Sequence, residues 1–414
     1  MLGAVPLVLG MMRGGTPPLL LVGDGALGAA AYARTSVAHG FGAAGALFAA
    51  ASGVARFVGP DGHLLIERQS QNVLANPRLE GGTPGTIGSG AVLPVDMEMT
   101  SAGSITRQIV GFGTEDGIPY ADMRWAGTQG TNAVGTLVFG VQGGWTCSAG
   151  QGFALSLCVR LVGGSLSNIV SVRLRVQERD GASQTVLSPK TIFTPTSAPL
   201  RSQRYTDSHT VGGAATNNAR LQLSFTPGAN TPFDVTFRIG LPQVEPGAAV
   251  TSPILPPAGT PGASTRAAGS LLFAPNGGLP AAGTLLLDGL IPVAPGVERR
   301  LIAVETSGGA SGVALACNAA GTSLSAVPFP SGSAVTGGAT SPGARLRAAL
   351  AWDAGGIAVS VNGGAAAAGA APPAGLAQVS QGGASAAEAL EIRRLELFPQ
   401  RLSDAALAAL TTLP

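Results

Sequence analysis

The sequence predicts an all-β protein in which an N-terminal region is followed by two antiparallel β-sandwiches. Three observations predict this fold: hydrophobic side chains recur with a period of two, 62 glycines and 30 prolines occur in 414 residues, and only 11% of the residues are charged. A period of two places alternate side chains on opposite faces of a strand, and glycine and proline supply turns. A chain of this length suits two or three domains of roughly 100–200 residues each.

The clearest strand pattern lies in the middle of the chain. Apolar residues alternate with polar ones in three runs, which are Val170, Val172, Leu174 and Val176; Leu221, Leu223 and Phe225; and Phe233, Val235, Phe237 and Ile239. Each run predicts a strand with one buried and one solvated face, as in an antiparallel sandwich.

The composition changes after Glu245, and this change sets the predicted domain boundaries. Residues 251–266 carry four prolines among Gly, Ser and Thr, a composition typical of a linker with restricted backbone. We therefore predict an N-terminal region over 1–76, a first sandwich over 77–250, a linker over 251–266 and a second sandwich over 267–414.

Short apolar runs predict the strands of the second sandwich. They cover residues 285–287, 301–304, 346–351 and 357–361, and Asn362-Gly363 after the last run is a strong hairpin signal. The chain then predicts a closing strand over 392–398 and a short helix that Ser403 caps, with Leu407 and Leu410 on its apolar face.

Residues 1–76 have an apolar, glycine-interrupted composition that does not easily form an independent core. The segment 1–12 is apolar but lacks a basic start and a cleavage site, and three glycines and Arg56 interrupt residues 41–57. We therefore expect neither an export signal nor membrane insertion. The sequence does not decide the secondary structure of residues 26–57, because their alanines favour helix and their glycines oppose it. A partner or a second copy of the chain should cover this region, which points to a homo-oligomer.

Several kinds of function are disfavoured by the composition. The 24 basic and 22 acidic residues are scattered singly, so the sequence shows no basic stripe for nucleic acid. Cys147, Cys158 and Cys317 have neither disulfide nor zinc-ligand spacing and read as small buried side chains. The three histidines have no catalytic partners nearby in the sequence, and Glu115, Asp116 and Asp122 read as solvated loop acids. We therefore expect no enzyme.

Three stretches resemble modular virion proteins of phages and gene transfer agents, the head-spike and tail-fibre proteins. The first stretch combines Arg34-Thr35-Ser36 with Leu64-Leu65-Ile66-Glu67. The second stretch runs from Asn76-Pro77-Arg78 through residues 117–125 to Gln243-Val244-Glu245-Pro246-Gly247. The third stretch includes Ala351-Trp352, Val361-Asn362-Gly363 and Leu402-Ser403-Asp404. The second is similar to a jelly-roll, carbohydrate-binding-module-like domain, and the third to laminin-G/concanavalin-A-like lectin domains. Residues 379–383 depart from the lectin pattern, which puts ligand binding there in doubt.

The resemblance implies attachment of a phage-like particle to a host cell-surface polysaccharide. The implied partners are that glycan and a capsid or tail base protein, with residues 1–76 mounting the chain on the particle. Such a particle would assemble in the cytoplasm and leave by lysis. Two alternatives stay open: a depolymerase that cuts capsule polysaccharide, and a ligand-free structural decoration protein.

The predicted carbohydrate site consists of Tyr120, Asp122, Arg124, Trp125 and Trp145. Sugar recognition needs aromatic rings for C–H faces and planar polar groups for hydroxyls, and the chain has only three Trp, three Tyr and 13 Phe. The alternative is that Tyr120, Trp125 and Trp145 are core residues, as we expect for Trp352.

The same resemblance implies a structural calcium at the two ends of the jelly roll. Glu80 and Asp234 would supply the oxygen ligands that calcium prefers. No other cofactor is indicated.

Overall fold

The structure is a computed structural model that describes residues 16–101, 105–128, 130, 134–181, 183–381 and 389–414. The chain divides into two compact units. We call residues up to 44, 49–69 and 267–414 the discontinuous unit, and residues 45–48 and 70–266 the inserted unit.

Strands dominate the described residues. The first seven are β1 (Leu19–Gly23), β2 (Ala26–Leu27), β3 (Ala31–Ala33), β4 (Ala38–Phe41), β5 (Leu47–Ala50), β6 (Phe57–Val58) and β7 (His63–Glu67). The next group is β8 (Ser70–Asn72), β9 (Gly85–Thr86), β10 (Met97–Thr100), β11 (Thr106–Glu115), β12 (Ile118–Thr128), β13 (Gly135–Phe139), β14 (Trp145–Thr146), β15 (Gly152–Gly164), β16 (Ile169–Asp180), β17 (Ser183–Phe193), β18 (Arg204–Thr210), β19 (Asn218–Pro227), β20 (Pro232–Pro246) and β21 (Ser264–Arg266).

The remaining elements follow residue 266. They are β22 (Ser270–Phe273), β23 (Gly283–Leu290), β24 (Arg299–Thr306), β25 (Gly312–Cys317), β26 (Ser323–Phe329), β27 (Val335–Ala339), β28 (Arg345–Asp353), β29 (Gly356–Val361), β30 (Ala367–Gly369), β31 (Leu376–Gln381), β32 (Ala389–Phe398) and the helix α1 (Asp404–Thr411). The prediction of an all-β fold with antiparallel sandwiches is confirmed.

The inserted unit is a sandwich of two sheets. The β16 sheet has the strand order β10-β13-β19-β16-β17, with β14 also paired to β19, and the β12 sheet has the order β18-β15-β20-β12-β11-β9. Side chains from both sheets meet in one apolar core, which includes Leu155, Leu174, Leu223 and Phe237. Burial of this shared face stabilises the pairing of the two sheets.

The predicted alternation places the expected side chains inside, with one exception. Val172, Leu174 and Val176 are buried, as are the apolar residues predicted in β19 and β20, whereas Val170 is 73% exposed. The register with β19 shifts between Ile169 and Ser171, and such a bulge turns the next side chain out of the core.

The discontinuous unit is also a sandwich. Among the described residues, nine strands form the sheet that contains the path β2-β1-β32-β23-β28-β29-β30, and seven form the sheet β27-β26-β25-β24-β31-β22-β3. Their facing sides share a core that includes Leu287, Val304 and Trp352. Trp352 is 1% exposed, and its indole N–H donates to the carbonyl oxygen of Pro280 at 3.2 Å. Trp352 is therefore a core residue, as predicted.

The structure differs from the predicted chain division at the N-terminal region. Strand β1 pairs with β32 at residues 395–397, β7 pairs with β32 at residues 389–392, and β3 pairs with β22. Leu21, Val22, Leu64 and Ile66 are each no more than 1% exposed in the core. Residues 19–67 therefore supply strands to the same sandwich as residues 267–414.

The Pro-rich segment 251–266 is largely without regular structure, but it is not an exposed linker along its whole length. Ile254 and Leu255 are buried, and β21 pairs with β8 within the inserted unit. Buried Thr251 donates to Glu245, and Arg266 donates to the Thr251 hydroxyl at 2.9 Å. Both ends of this segment therefore pack as part of the inserted unit.

Two local predictions near the C-terminus are confirmed. Asn362 and Gly363 both have positive φ, and β29 and β30 pair on either side of them. Ser403 caps α1 by accepting from the Ala406 N–H, and Leu407 and Leu410 are buried. Asn and Gly tolerate positive φ more readily than other residues, which explains the strength of the hairpin signal.

Glu178 is a buried carboxylate that points into the inserted unit. Its oxygens accept from the N–H groups of Gly212 and Gly213 and from Thr216, and His209 Nε2 lies 2.9 Å from Oε1. Burial raises the pKa of Glu178, but these hydrogen bonds outweigh it and leave the pKa below its ordinary value of 4.5.

The inserted unit should therefore lose stability in acid through Glu178. A carboxylate whose pKa is lowered by folding stabilises the fold above its unfolded pKa, and this contribution is lost as the pH falls through the folded pKa. We expect the free energy of unfolding, measured in urea from about pH 7 to about pH 3, to fall more steeply for the natural chain than for Glu178→Gln. Equal pH dependence of the two proteins would contradict this role.

The three cysteines are free and buried, as predicted. Burial raises the pKa of each thiol to about 11, so the thiols are protonated and unreactive at neutral pH. In the part of the chain that the structure describes, no helix is both long and apolar enough to cross a membrane.

Candidate functional site

The predicted carbohydrate residues of β12 lie on two different faces of the β12 sheet. Tyr120, Asp122 and Arg124 are partly exposed on the outer face, whereas Ala121, Met123 and Trp125 are buried on the inner face. Successive side chains of a strand point in opposite directions. The structure therefore brings three of the four predicted residues in this strand together and separates Trp125 from them.

Trp125 and Trp145 are core residues, so their assignment to the carbohydrate site is corrected. Trp125 is 0% exposed, with its ring centroid 5.2 Å from that of Phe225. Trp145 is 3% exposed, and its ring centroid is 5.7 Å from that of Phe153. Neither ring offers a face to a sugar.

Arg238 is the residue at this site that the sequence analysis missed. It lies opposite Asp122 in the register of β12 and β20. Its Nε and Nη2 donate to the two Asp122 oxygens at 2.9 and 2.8 Å, and its guanidinium carbon lies 3.6 Å from the Tyr120 ring centroid. One face of the Tyr120 ring is therefore covered by a cation–π contact.

Glu115, at the end of β11, is a second carboxylate partner of Arg238. It accepts from the Leu200 N–H at 2.7 Å and from Arg160 and Arg238, each at 2.8 Å. Burial raises the pKa of Glu115, but these donors outweigh it and hold the pKa below its ordinary value. The carboxylate is therefore ionised at neutral pH and fixed in place.

The exposed end of the site is the Arg124–Asp234 pair. Arg124 Nε and Nη2 donate to the two Asp234 oxygens at 2.9 and 2.7 Å, and the two side chains are 37% and 48% exposed. The hydrogen bonds from Arg124 hold the pKa of Asp234 below its ordinary value despite partial burial. This pair offers a planar donor and a planar acceptor to solvent.

A shallow depression of about 380 Å³ adjoins this pair. It is lined by Gly164, Ser165, Ser167, Asn168, Pro232, Phe233 and Asp234. The Asn168 amide donates to the Pro232 carbonyl at 2.7 Å, and the Ser165 hydroxyl donates to the Ser167 hydroxyl at 3.0 Å. Hydroxyl, amide and carboxylate groups thus line this depression together with Pro232 and Phe233, which suits a ligand that is rich in hydroxyls.

The calcium site implied at Glu80 and Asp234 is not formed. Both oxygens of Glu80 accept from the Gly259 N–H, at 3.1 and 2.9 Å, and both oxygens of Asp234 are engaged by Arg124. Across the described residues, no group of three or more His, Cys, Asp or Glu could hold a metal ion.

Comparison with protein-family models gives no match, and no curated protein matches. Among solved structures, the chain is similar to one described as "CBM4 structure and function" at 17% identity over 34% of this chain and 78% of that chain, with a TM-score of 0.22. It is similar to the tandem CBM22 domains of Paenibacillus barcinonensis Xyn10C at 9% identity over 76% and 96%, with a TM-score of 0.25. It is also similar to Trypanosoma rangeli sialidase at 12% identity over 92% and 77%, with a TM-score of 0.27. At these values the likenesses assign no ligand or activity to this chain.

Proposed function

We propose that the chain is a glycan-binding protein that attaches a phage-like particle to a polysaccharide on the host cell surface. The observation that carries the binding proposal is the exposed Arg124–Asp234 pair beside the depression lined by Ser165, Ser167 and Asn168. A guanidinium donates to vicinal hydroxyl oxygens and a carboxylate accepts from hydroxyl groups, so the pair complements a sugar.

Attachment through such an open site is weak for one copy of the chain. Several copies on one particle raise the effective concentration of the second and later contacts, so the particle binds far more tightly than one chain does. The particle itself is proposed from the resemblance of three stretches to virion proteins, which lie within residues 34–76, 76–247 and 347–404.

Hydrolysis is less well supported by the acidic residues near the site. A glycosidase needs one protonated carboxyl group and a second ionised one across the scissile bond. Glu115 has a lowered pKa, and Asp116 and Asp122 accept from Arg201 and Arg238, each at 2.8 Å. The acids that the sequence suggested as a cluster are thus engaged by arginines.

Exchange of the exposed pair should weaken attachment. We expect Arg124→Gln and Asp234→Asn each to lower the affinity for the host polysaccharide about tenfold, because a hydrogen bond to a charged group contributes about 1.5 kcal/mol or more. The measurement is a screen against capsule and lipopolysaccharide fractions, followed by titration. Arg401→Gln, in the other unit and with its own exposed carboxylate partner Asp404, is the matched control. A screen with no binding at all would favour the ligand-free decoration protein.

The particle is tested separately. The chain should co-sediment with particles released by lysis in a density gradient, and antibodies against it should block adsorption of those particles to host cells. Release of reducing sugar ends from the bound polysaccharide would instead indicate the depolymerase.

A further inference from the structure

Four arginines form a row on the outer face of the β16 sheet, on the opposite side of the inserted unit's core from the Arg124–Asp234 pair. We call Arg173, Arg175, Arg179 and Arg220 the arginine row. Along β16, Val172, Leu174 and Val176 are buried while Arg173, Arg175 and Arg179 are partly exposed. Strand alternation therefore puts the three arginines on one face.

The pairing of β16 with β19 adds the fourth arginine, Arg220, opposite Gln177, which is the one position between Arg173 and Arg179 on this face without an arginine. Arg173 lies opposite Ser224, Arg175 opposite Gln222, Gln177 opposite Arg220, and Arg179 opposite Asn218. Residues two apart on a strand are about 7 Å apart, so the row extends over about 20 Å with a guanidinium near every second residue.

The charges of the row are not neutralised within the described chain. Arg173 donates to the Ser171 hydroxyl at 2.9 Å and Arg220 to the Val141 carbonyl at 2.7 Å, both neutral acceptors. None of the four arginines forms an ion pair with a described carboxylate. Asp96 and Glu98 act on Arg220 only through their longer-range field.

The positive charges of the row repel one another, and this repulsion lowers the pKa of two of its arginines. Burial lowers the pKa of Arg175 and Arg173 lowers it further, while burial and then Arg179 lower the pKa of Arg220. An external anion would relieve this repulsion, whereas Glu115, Asp122 and Asp234 of the β12 sheet already pair with arginines.

We propose that the arginine row binds the carboxylates of an acidic polysaccharide. The planar guanidinium fork matches a carboxylate in a bidentate arrangement, and evenly spaced forks match a polymer with repeated carboxylates. Single-stranded nucleic acid also carries repeated negative charge, but its binding sites use aromatic rings for base stacking. None of the side chains described on this face is aromatic; they include Thr136, Val138, Gln222 and Ser224.

This site is separate from the one in the proposed function and does not depend on it. The 24 basic residues are nearly balanced by 22 acidic ones in the sequence. Three arginines of the row alternate along β16, and strand pairing adds Arg220 from about 40 positions further along the chain. The absence of a basic stripe from the linear sequence therefore does not extend to this face.

The experiment titrates the full chain against immobilised polygalacturonate, with neutral dextran as the comparison polymer. We expect Arg173→Gln/Arg175→Gln to bind polygalacturonate about tenfold more weakly, since each exposed ion pair contributes a factor of about two to five. Binding should weaken as salt rises from about 0.01 M to about 0.15 M. Arg393→Gln, which removes one exposed positive charge from the other unit, should bind like the natural chain.

Thermal unfolding checks that the double variant is folded. Arg173→Lys/Arg175→Lys keeps the charges but loses the bidentate fork, so we expect its affinity to lie between those of the glutamine variant and the natural chain. A folded lysine variant as weak as the glutamine variant would overturn the charge-based site. No binding to polygalacturonate, or equal loss in Arg393→Gln, would also overturn it. Tighter binding of single-stranded DNA of equal charge would reassign the row to nucleic acid.

Discussion

Replacement of Trp125 by alanine is expected to lower the free energy of unfolding by about 3–5 kcal/mol, as for other large buried aromatic side chains. The indole is fully buried between the two sheets of the inserted unit and packs edge-on against Phe225, with Phe237 next to it. Alanine would leave a cavity that the surrounding strands can only partly fill. Denaturant titration of the inserted unit's transition measures the loss.

The neighbouring Arg124 provides the control for this prediction. Arg124→Gln removes an exposed ion pair on the other face of the same strand, so the free energy of unfolding should change by no more than about 1 kcal/mol. If Trp125→Ala instead kept its stability and lost glycan binding, the ring would belong to the ligand site and the core assignment would be wrong.

Removal of residues 1–69 is expected to unfold the discontinuous unit. The deletion takes β1, β3 and β7 out of the two sheets and removes Leu21, Val22, Leu64 and Ile66 from the core. Each of these side chains contributes about 2–5 kcal/mol when truncated, so their joint loss matches the whole stability of a typical domain, about 5–15 kcal/mol. In a urea titration, the shortened chain should lack the transition of this unit.

A single substitution tests the same packing without shortening the chain. Leu64→Ala should lower the free energy of unfolding of the discontinuous unit by about 2–5 kcal/mol. The midpoint urea concentration of the inserted unit's transition should stay the same. A shortened chain that kept both transitions would show that residues 19–67 are dispensable for folding, and mounting on a particle could then be their main role.

The strands were predictable because period-two alternation is a local property of the sequence. The split of the predicted site was readable in the same way, since Ala121, Met123 and Trp125 alternate with Tyr120, Asp122 and Arg124. Residues that are neighbours in sequence on one strand lie on opposite faces of the sheet. The core position of Trp125 could therefore have been inferred from the residues on either side of it.

Strand partners could not be predicted, because nothing local specifies which strands meet. Arg238 binds Asp122 across 116 residues of sequence, and the arginine row joins β16 to β19. The N-terminal strands are the extreme case, since β1 pairs with residues 395–397. A one-residue change of register would turn every one of these side chains to the other face.

The pairing of β1 and β7 with β32 also constrains the order of events during synthesis. The ribosome makes β1 and β7 more than 300 residues before their partner β32. The edges that pair with β32 therefore stay unpaired while the inserted unit, built from residues 45–48 and 70–266, can complete its own core. High contact order slows folding, and waiting strand edges are prone to intermolecular pairing. Expression yield of this protein should therefore depend on chaperones that shield its first 70 residues until translation reaches β32.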